Sequence, residues 1–315
     1  MPHPLHYWYP SKINHKGCHW LYMEGVPFKE PFFDETISKS RSLPINSKPF
    51  RPLSEINLLE HWSKYIDHIE PTAFIFHVSR CGSTLLSQLL GINDDFISLA
   101  EVPCFDDILR LPFKDGYPEN PSINELLKSA IRFYGQKRTG NEAQLFIKTD
   151  SWHIFFWKQI RAIYPNVPFI LLYRKPDEVL RSNQKHRGMQ AVPGVIEPEV
   201  FGFKQDDITS LSLDEYMAKV LERYFSSYLQ VIENDVNSLL INYEEGPIAM
   251  MEKTLDFSGI TLKDELKQQV INRTKFHSKH PGQAFSEDQE KSPIPDYLKP
   301  AFGLYMECET IRLRK

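Results

Sequence analysis

The sequence predicts an α/β fold with a central parallel β-sheet and helices on both faces, arranged as a three-layer sandwich. Short apolar segments, such as residues 167–173, alternate with longer segments whose apolar residues recur at helical spacing. Uninterrupted apolar strands separated by helices are typical of a parallel sheet that is covered on both faces. Two of these strands lead into turns that can hold an anion, and such sheets bind ligands at the carboxyl ends of their strands.

The first 52 residues are rich in aromatic residues and proline and show no clear period. We expect residues 1–52 to form an extension that packs on the core, and residues 53–315 to form a single domain. A helix is predicted over residues 54–69, where apolar side chains recur at helical spacing. Residues 188–209 contain several prolines and glycines without a period, and a long loop is predicted there.

The alternation of strands and helices begins after residue 69. Strands are predicted at residues 73–78, 96–99, 144–148, 167–173 and 238–242. Further helices are predicted at residues 84–91, 103–110, 122–135, 153–164, 176–187, 213–235, 247–256, 261–272 and 295–312.

The composition indicates a globular protein with a sizeable core, since 41% of the 315 residues are hydrophobic and 25% are charged. The formal net charge of −4 argues against a nucleic-acid-binding protein. No apolar run reaches the roughly 18 residues that a membrane span requires, and the first residues lack the pattern of a secretion signal. We therefore expect a cytoplasmic protein without a membrane span. The sequence does not indicate its oligomeric state.

Neither the cysteines nor the histidines form a metal-binding pattern. The four cysteines lack C-x-x-C spacing, so free thiols are expected rather than a zinc site or a disulfide framework. The four histidines among the first 19 residues are irregularly spaced. We therefore predict no metal site.

The first anion-binding motif lies in residues 74–86, where an apolar strand runs into a turn of small residues and then opens a helix. This order places backbone N–H groups and a helix N-terminus around one point, where a phosphate group can be held. The nucleotide-triphosphate motif G-x-x-x-x-G-K-[ST] has no match here. Residues 79–85 instead resemble the 5′-phosphosulfate loop of sulfotransferases that use 3′-phosphoadenosine 5′-phosphosulfate (PAPS). The resemblance implies donor binding by Arg80, Cys81, Gly82, Ser83, Thr84 and Leu85.

A second strand, turn and helix follow in residues 169–182. Arg174 ends the strand and Ser182 follows eight residues later, which resembles the Arg and Ser pair that binds the 3′-phosphate in sulfotransferases. Arg174 is favoured among its basic neighbours because a planar guanidinium binds phosphate through two parallel hydrogen bonds. A third segment, residues 240–245, is similar to the family's late strand with its Tyr-Glu signature. The local excess of positive charge is carried by Arg174, Lys175, Arg181, Lys185 and Arg187.

The resemblance implies transfer of a sulfuryl group from PAPS to a hydroxyl or amine acceptor, with 3′,5′-bisphosphoadenosine (PAP) as the product and without a metal. Arg80 would stabilise the bridging oxygen as it takes charge. Glu101, just after the second strand, is the first candidate for the catalytic base, and Asp150, at the position of the catalytic His of small-molecule sulfotransferases, is the second. Lys148 would bind the donor or orient the acceptor. The acceptor itself stays open: a small molecule, a glycan, a lipid or a peptide.

The resemblance thins towards the C-terminus. Residues 273–282 form a basic segment in which Lys279 is expected to bind the donor, although no Arg-Lys-Gly motif is present. Leu85 stands where small-molecule sulfotransferases carry the aromatic residue that stacks on adenine, so another residue must hold adenine. Two alternative functions remain at this point, a nucleotide-dependent kinase of related fold and a non-catalytic protein that uses the same fold for binding.

Overall fold

The computed structural model describes residues 3–49, 51–114, 122–261, 264–274 and 293–314. The chain divides into two compact units. The first unit comprises residues 1–74, 87–150 and 159–167, and the second comprises residues 75–86, 151–158 and 168–315. The residue numbers of the second unit include the predicted phosphate loop and Arg174, while those of the first include the candidate bases Glu101 and Asp150.

A small antiparallel sheet lies in the first unit and is formed by β1 (Trp8–Asn14), β2 (Gly17–Tyr22) and β3 (Leu53–Ser54). The second sheet is parallel and contains β4 (Ala73–His77), β5 (Phe96–Ala100), β6 (Gln144–Lys148), β7 (Phe169–Tyr173) and β8 (Ser238–Asn242). Its strand order is β5-β6-β4-β7-β8. Helices flank this sheet, so the predicted α/β fold with a central parallel sheet is confirmed, and all five strands lie where the apolar runs predict them.

The helices follow the predicted order with shifted ends. The predicted helix at residues 54–69 is shorter, and the one at 153–164 begins as a 3-10 helix over Ser151–Phe156. Residues 188–209 contain two short 3-10 helices and one turn of α-helix instead of an unbroken loop. The α-helices are α1 (Phe33–Arg41), α2 (Asn57–Ser63), α3 (Ser83–Leu90), α4 (Pro103–Leu109), α5 (Ile123–Tyr134), α6 (Trp157–Ile163), α7 (Pro176–Lys185), α8 (Gln205–Ile208), α9 (Leu213–Asn234), α10 (Pro247–Phe257), α11 (Asp264–Thr274) and α12 (Lys299–Arg312).

The aromatic residues near the N-terminus pack into the core of the first unit. For this reason they do not recur at the regular spacing of an element with one exposed face. The ring of Tyr9 on β1 packs against Tyr134 on α5 with 5.4 Å between ring centroids, and the Tyr134 hydroxyl donates to the Pro10 carbonyl at 2.7 Å. The Ile13 N–H donates to the carboxylate of Asp107 on α4 at 3.0 Å. Because these contacts join residues more than 90 positions apart, local pattern analysis does not detect them.

In the second unit, the long helix α9 packs its aromatic face against β7. The Tyr228 hydroxyl donates to the Leu172 carbonyl at 3.0 Å, and both Tyr228 and Phe225 contact the Tyr173 ring. A capping box between Ser212 and Glu215 fixes the start of α9. Among the described residues, no helix is both long and apolar enough to cross a membrane.

Candidate active site

The predicted phosphate loop has an unusual backbone. Ser79, Arg80 and Gly82 have φ angles of 68°, 52° and 79°, in the left-handed region. Glycine adopts this region freely, whereas each other residue there costs on the order of 1–3 kcal/mol and is retained mainly at functional sites. The loop ends where α3 begins at Ser83, so unpaired N–H groups of the first helical turn lie beside it. A left-handed backbone followed by a helix start is the geometry from which anion-binding concavities are built.

Arg174 lies at the end of β7 and is 9% exposed. Its Nε donates to Glu178 at 2.6 Å, and its Nη1 donates to the carbonyl of the loop residue Arg80 at 3.4 Å. The guanidinium carbon lies 4.3 Å from the centroid of the Tyr243 ring, in cation–π contact. The contacts hold the guanidinium group beside the phosphate loop.

Tyr243 also explains why residue 82 is glycine. A Cβ atom at residue 82 would lie 2.9 Å from Cδ2 of the Tyr243 ring, and the positive φ independently favours glycine. The aromatic ring thus contacts both the loop and Arg174. Tyr243 belongs to the Tyr-Glu signature of residues 240–245, but the sequence analysis did not name it as a site residue. That signature is the sequence feature from which its place in the site could have been inferred.

The remaining predicted donor residues lie on the same elements. Ser83 and Thr84 are buried in the first turn of α3, Leu85 is half-buried there, and Ser182 is half-buried on α7. The Cys81 thiol donates to the Leu172 carbonyl at 3.5 Å, so its side chain packs against β7 and its backbone N–H is the group suited to an anion. Lys279 lies outside the described residues.

Glu101 and Lys148 come together in the first unit because β5 and β6 pair in parallel, with Ala100 opposite Lys148. The Glu101 N–H donates to the Lys148 carbonyl at 2.9 Å, and the Lys148 ammonium donates to the Glu101 carboxylate. Lys148 is 1% exposed, and Glu101 has a left-handed φ of 57°. A buried charge needs a partner, and this ion pair supplies it.

Asp150, two residues after β6, is buried at 6% exposure. Burial raises its pKa well above the usual value, and the negative charges of Glu101 and Asp106 raise it further against the opposing effect of Lys148. Asp150 therefore holds its proton to a higher pH than an ordinary carboxyl group does, and while protonated it donates a hydrogen bond and cannot accept a proton. Of the two candidate bases, Glu101 is thus better suited to accept a proton.

Two residues that the sequence analysis missed border this cluster from the N-terminal segment. The Lys148 ammonium lies 5.4 Å from the centroid of the Phe32 ring. Asp34, in the first turn of α1, is exposed by surface area, yet partial desolvation and the charge of Glu101 raise its pKa against the effect of Arg41. Residues from the extension therefore take part in the electrostatics of the Glu101–Lys148 pair.

The Asp150→Asn variant tests the protonation state of Asp150. The pKa of Asp150 in the folded protein lies above its value in the unfolded chain, about 3.9. The resulting stabilisation is complete below pH of about 3.9 and is lost as pH rises through the pKa of the folded protein. The amide that replaces the carboxyl group in the variant cannot ionise. The free energy of unfolding of the variant, minus that of the wild type, should therefore increase as pH rises above about 4. Urea unfolding between roughly pH 4 and pH 9 measures this difference, and parallel curves for the two proteins would contradict a raised pKa.

The comparisons with solved structures bear on this arrangement of strands, loop and helices. A sulfotransferase from Mycobacterium avium, STF9, is similar over 87% of this chain and 83% of its own, with 14% identity and a TM-score of 0.52. The chain has a sulfotransferase fold. A sulfotransferase from Alicyclobacillus acidocaldarius is also similar, with 16% identity over 78% of this chain and 97% of its own and a TM-score of 0.45. A sulfotransferase domain from the curacin biosynthetic pathway is similar with 15% identity over 76% of this chain and 99% of its own and a TM-score of 0.48. No protein-family model matches the sequence, and a search of curated proteins finds no match.

The candidate residues follow the five strands of the parallel sheet in chain order. The phosphate loop follows β4, Glu101 follows β5, Asp150 follows β6, Arg174 follows β7 and Tyr243 follows β8. Each of these residues lies just beyond the carboxyl end of its own strand. Because the identity to STF9 is 14%, the likeness defines the fold, and the chemistry depends on the residues of this chain.

Proposed function

We propose that the protein is a sulfotransferase that transfers a sulfuryl group from PAPS to a hydroxyl or amine acceptor and releases PAP. The observation that carries the proposal is the phosphate loop at residues 79–84, supported together with Arg174 by the single ring of Tyr243. A structural turn between a strand and a helix does not need two strained residues and a buried guanidinium beside it. A binding site for a phosphate ester would account for the strained residues and the buried guanidinium together.

In this proposal the donor's 5′-phosphosulfate is held by the loop N–H groups and by the hydroxyls of Ser83 and Thr84. Arg174 and Ser182 hold the 3′-phosphate, which distinguishes PAPS from ordinary adenine nucleotides. Lys279 is retained as a proposed donor contact. Position 83 is serine where the nucleotide-triphosphate loop carries its lysine, which argues against the kinase alternative.

The transfer step forms a bond between the acceptor oxygen or nitrogen and the sulfur of PAPS. The bond between this sulfur and the bridging oxygen breaks, and the electron pair stays on the 5′-phosphate of PAP, where Arg80 offsets the developing charge. We assign the acceptor proton to the Glu101 carboxylate, and Lys148 neutralises and orients that carboxylate. Asp150, whose pKa is raised by burial, is the second candidate in the fraction that is ionised. None of these steps requires a metal, and we propose that the reaction takes place in the cytoplasm.

Donor identity is tested by measuring transfer from sulfur-labelled PAPS in the presence of excess EDTA. A kinase needs Mg²⁺ to neutralise the phosphates of its triphosphate donor, whereas the proposed site uses backbone N–H groups and guanidinium groups. We expect labelled products from a panel of hydroxyl and amine acceptors, including a host-cell extract, at the same rate with and without EDTA. EDTA-sensitive transfer from Mg·ATP, without any transfer from PAPS, would establish the kinase alternative instead.

A further inference from the structure

A short segment after α7 contacts both strained residues of the phosphate loop. The Gln190 side-chain amide donates from Nε2 to the Ser79 hydroxyl oxygen at 2.9 Å. Four residues earlier, the His186 carbonyl accepts a hydrogen bond from the Arg80 guanidinium. Neither Gln190 nor His186 belongs to the donor-binding motifs found in the sequence. The segment thus binds two consecutive loop residues through two independent hydrogen bonds.

Gln190 is held in place from its other side. Its exposed fraction is 4%, and the backbone at Gly188 leaves room for its carboxamide: a Cβ at residue 188 would lie 2.5 Å from Oε1 and 2.7 Å from Nε2. The Gly188 N–H donates to Oδ1 of Asn183 at 3.3 Å, and Asn183 is completely buried on α7. The side chain of Gln190 is therefore fixed relative to α7, the helix that carries Ser182.

The loop residues need this support, because left-handed conformations of non-glycine residues persist only where the surrounding structure fixes them. Ser79 and Arg80, at φ 68° and 52°, are both of this kind. The Ser79 N–H also donates to Nδ1 of His77 at 3.1 Å, which fixes the strand side of the loop. The contacts from Gln190 and His186 fix the opposite side.

We propose that Gln190 is a positioning residue for the 5′-group of the donor, acting through Ser79 without touching the donor. This inference rests on the proposed function and deepens it. It gives the segment at residues 186–190 a specific role, which is to set the distance between α7, where the 3′-phosphate is proposed to bind, and the loop, where the 5′-phosphosulfate is proposed to bind. Gln190 therefore contributes to recognition at one end of the nucleotide only.

Affinities for three nucleotides distinguish this positioning role from a general effect on folding. The affinity ratio of PAP to adenosine 3′-phosphate measures the contribution of the 5′-phosphate, and the ratio of PAP to adenosine 5′-phosphate measures that of the 3′-phosphate. We expect Gln190→Ala to lower the first ratio by about fivefold to tenfold, the effect of one lost positioning hydrogen bond. The second ratio should stay unchanged. Calorimetric titration of the full chain gives both.

Two further variants complete the test. Ser79→Gly removes the accepting hydroxyl while permitting the positive φ, so it should lower the same ratio, and combining it with Gln190→Ala should add nothing further. Gln184→Ala is the matched control, since Gln184 is an α7 glutamine whose Nε2 donates to Asp214 at 2.7 Å. It should leave both ratios unchanged.

The outcomes separate the inference from the proposed function. An unchanged 5′-phosphate ratio in Gln190→Ala, or an equal fall of both ratios, overturns the inference while the proposed function stands. A wild-type protein without preference for PAP over either mononucleotide overturns the proposed function, and the inference with it. A 5′-phosphate ratio that falls alone, non-additively with Ser79→Gly, supports the positioning role.

Discussion

Replacing Glu101 with glutamine is expected to lower turnover roughly 10² to 10⁴-fold, the range for loss of a general base. The amide keeps the size and the hydrogen-bonding shape of the carboxylate but cannot accept the acceptor's proton. Affinity for PAP should stay unchanged, because the proposed donor contacts belong to the phosphate loop and Arg174. Steady-state rates with PAPS, together with calorimetry of PAP binding, separate the two effects.

The control for this variant removes a different carboxylate that also contacts a lysine, away from the candidate site. Glu60 accepts from the Lys64 ammonium at 3.1 Å in an exposed pair at α2, so Glu60→Gln should leave turnover unchanged. A Glu101→Gln enzyme with wild-type turnover would remove Glu101 from the role of base. Asp150→Asn is expected to be the milder variant, and the reverse order would reassign the base to Asp150.

The raised pKa of Asp150 gives this order a physical reason. Burial, with the charges of Glu101 and Asp106, lets this carboxyl group hold its proton to a higher pH than usual, which makes it less available to accept another. Glu101 has a different environment, because its carboxylate contacts the Lys148 ammonium.

The parallel sheet could be predicted from the sequence because its strands are short, mostly apolar segments, which is a local property. The elements missed are those whose pattern is not local. Strands β1 and β2 and helix α1 bury aromatic side chains against α5, so their apolar residues do not recur at one spacing. Residues 188–209 form short helical turns around Pro198 and Gly202 for which the sequence offers only turn signals.

The candidate site likewise contains residues that local sequence motifs predict and residues that only tertiary packing brings together. Loop residues such as Arg80 and Gly82 are contiguous, and Arg174 and Ser182 are separated by a fixed helical spacing, so motif matching can find them. Gln190 contacts a residue 111 positions away, and Phe32 reaches Lys148 across a similar separation. Such pairs are created by tertiary packing. Tyr243 lies between these cases, because its motif was visible while its contacts with Gly82 and Arg174 were not.

Arg174→Ala is expected to abolish the preference for PAP over adenosine 5′-phosphate. A hydrogen bond from a charged donor contributes roughly 1.5–3 kcal/mol, which corresponds to about a tenfold to 150-fold loss in PAP affinity. Affinity for adenosine 5′-phosphate should change little, since this nucleotide lacks the group that Arg174 binds in the proposal. Arg174→Lys retains the charge but loses the planar fork, and we expect it to restore only part of the preference.

The Arg174→Ala variant also removes the partner of Glu178 and one neighbour of Tyr243, so a control must account for lost packing. Arg223 on α9 provides it, since its guanidinium carbon lies 5.3 Å from the centroid of the Phe203 ring. Arg223→Ala removes a comparable cation–π contact and should keep the full preference for PAP. Equal affinities of the wild-type protein for the two nucleotides would refute the 3′-phosphate assignment. An undiminished preference in a folded Arg174→Ala protein would move that assignment to another residue, with Ser182 and Lys279 the next to replace.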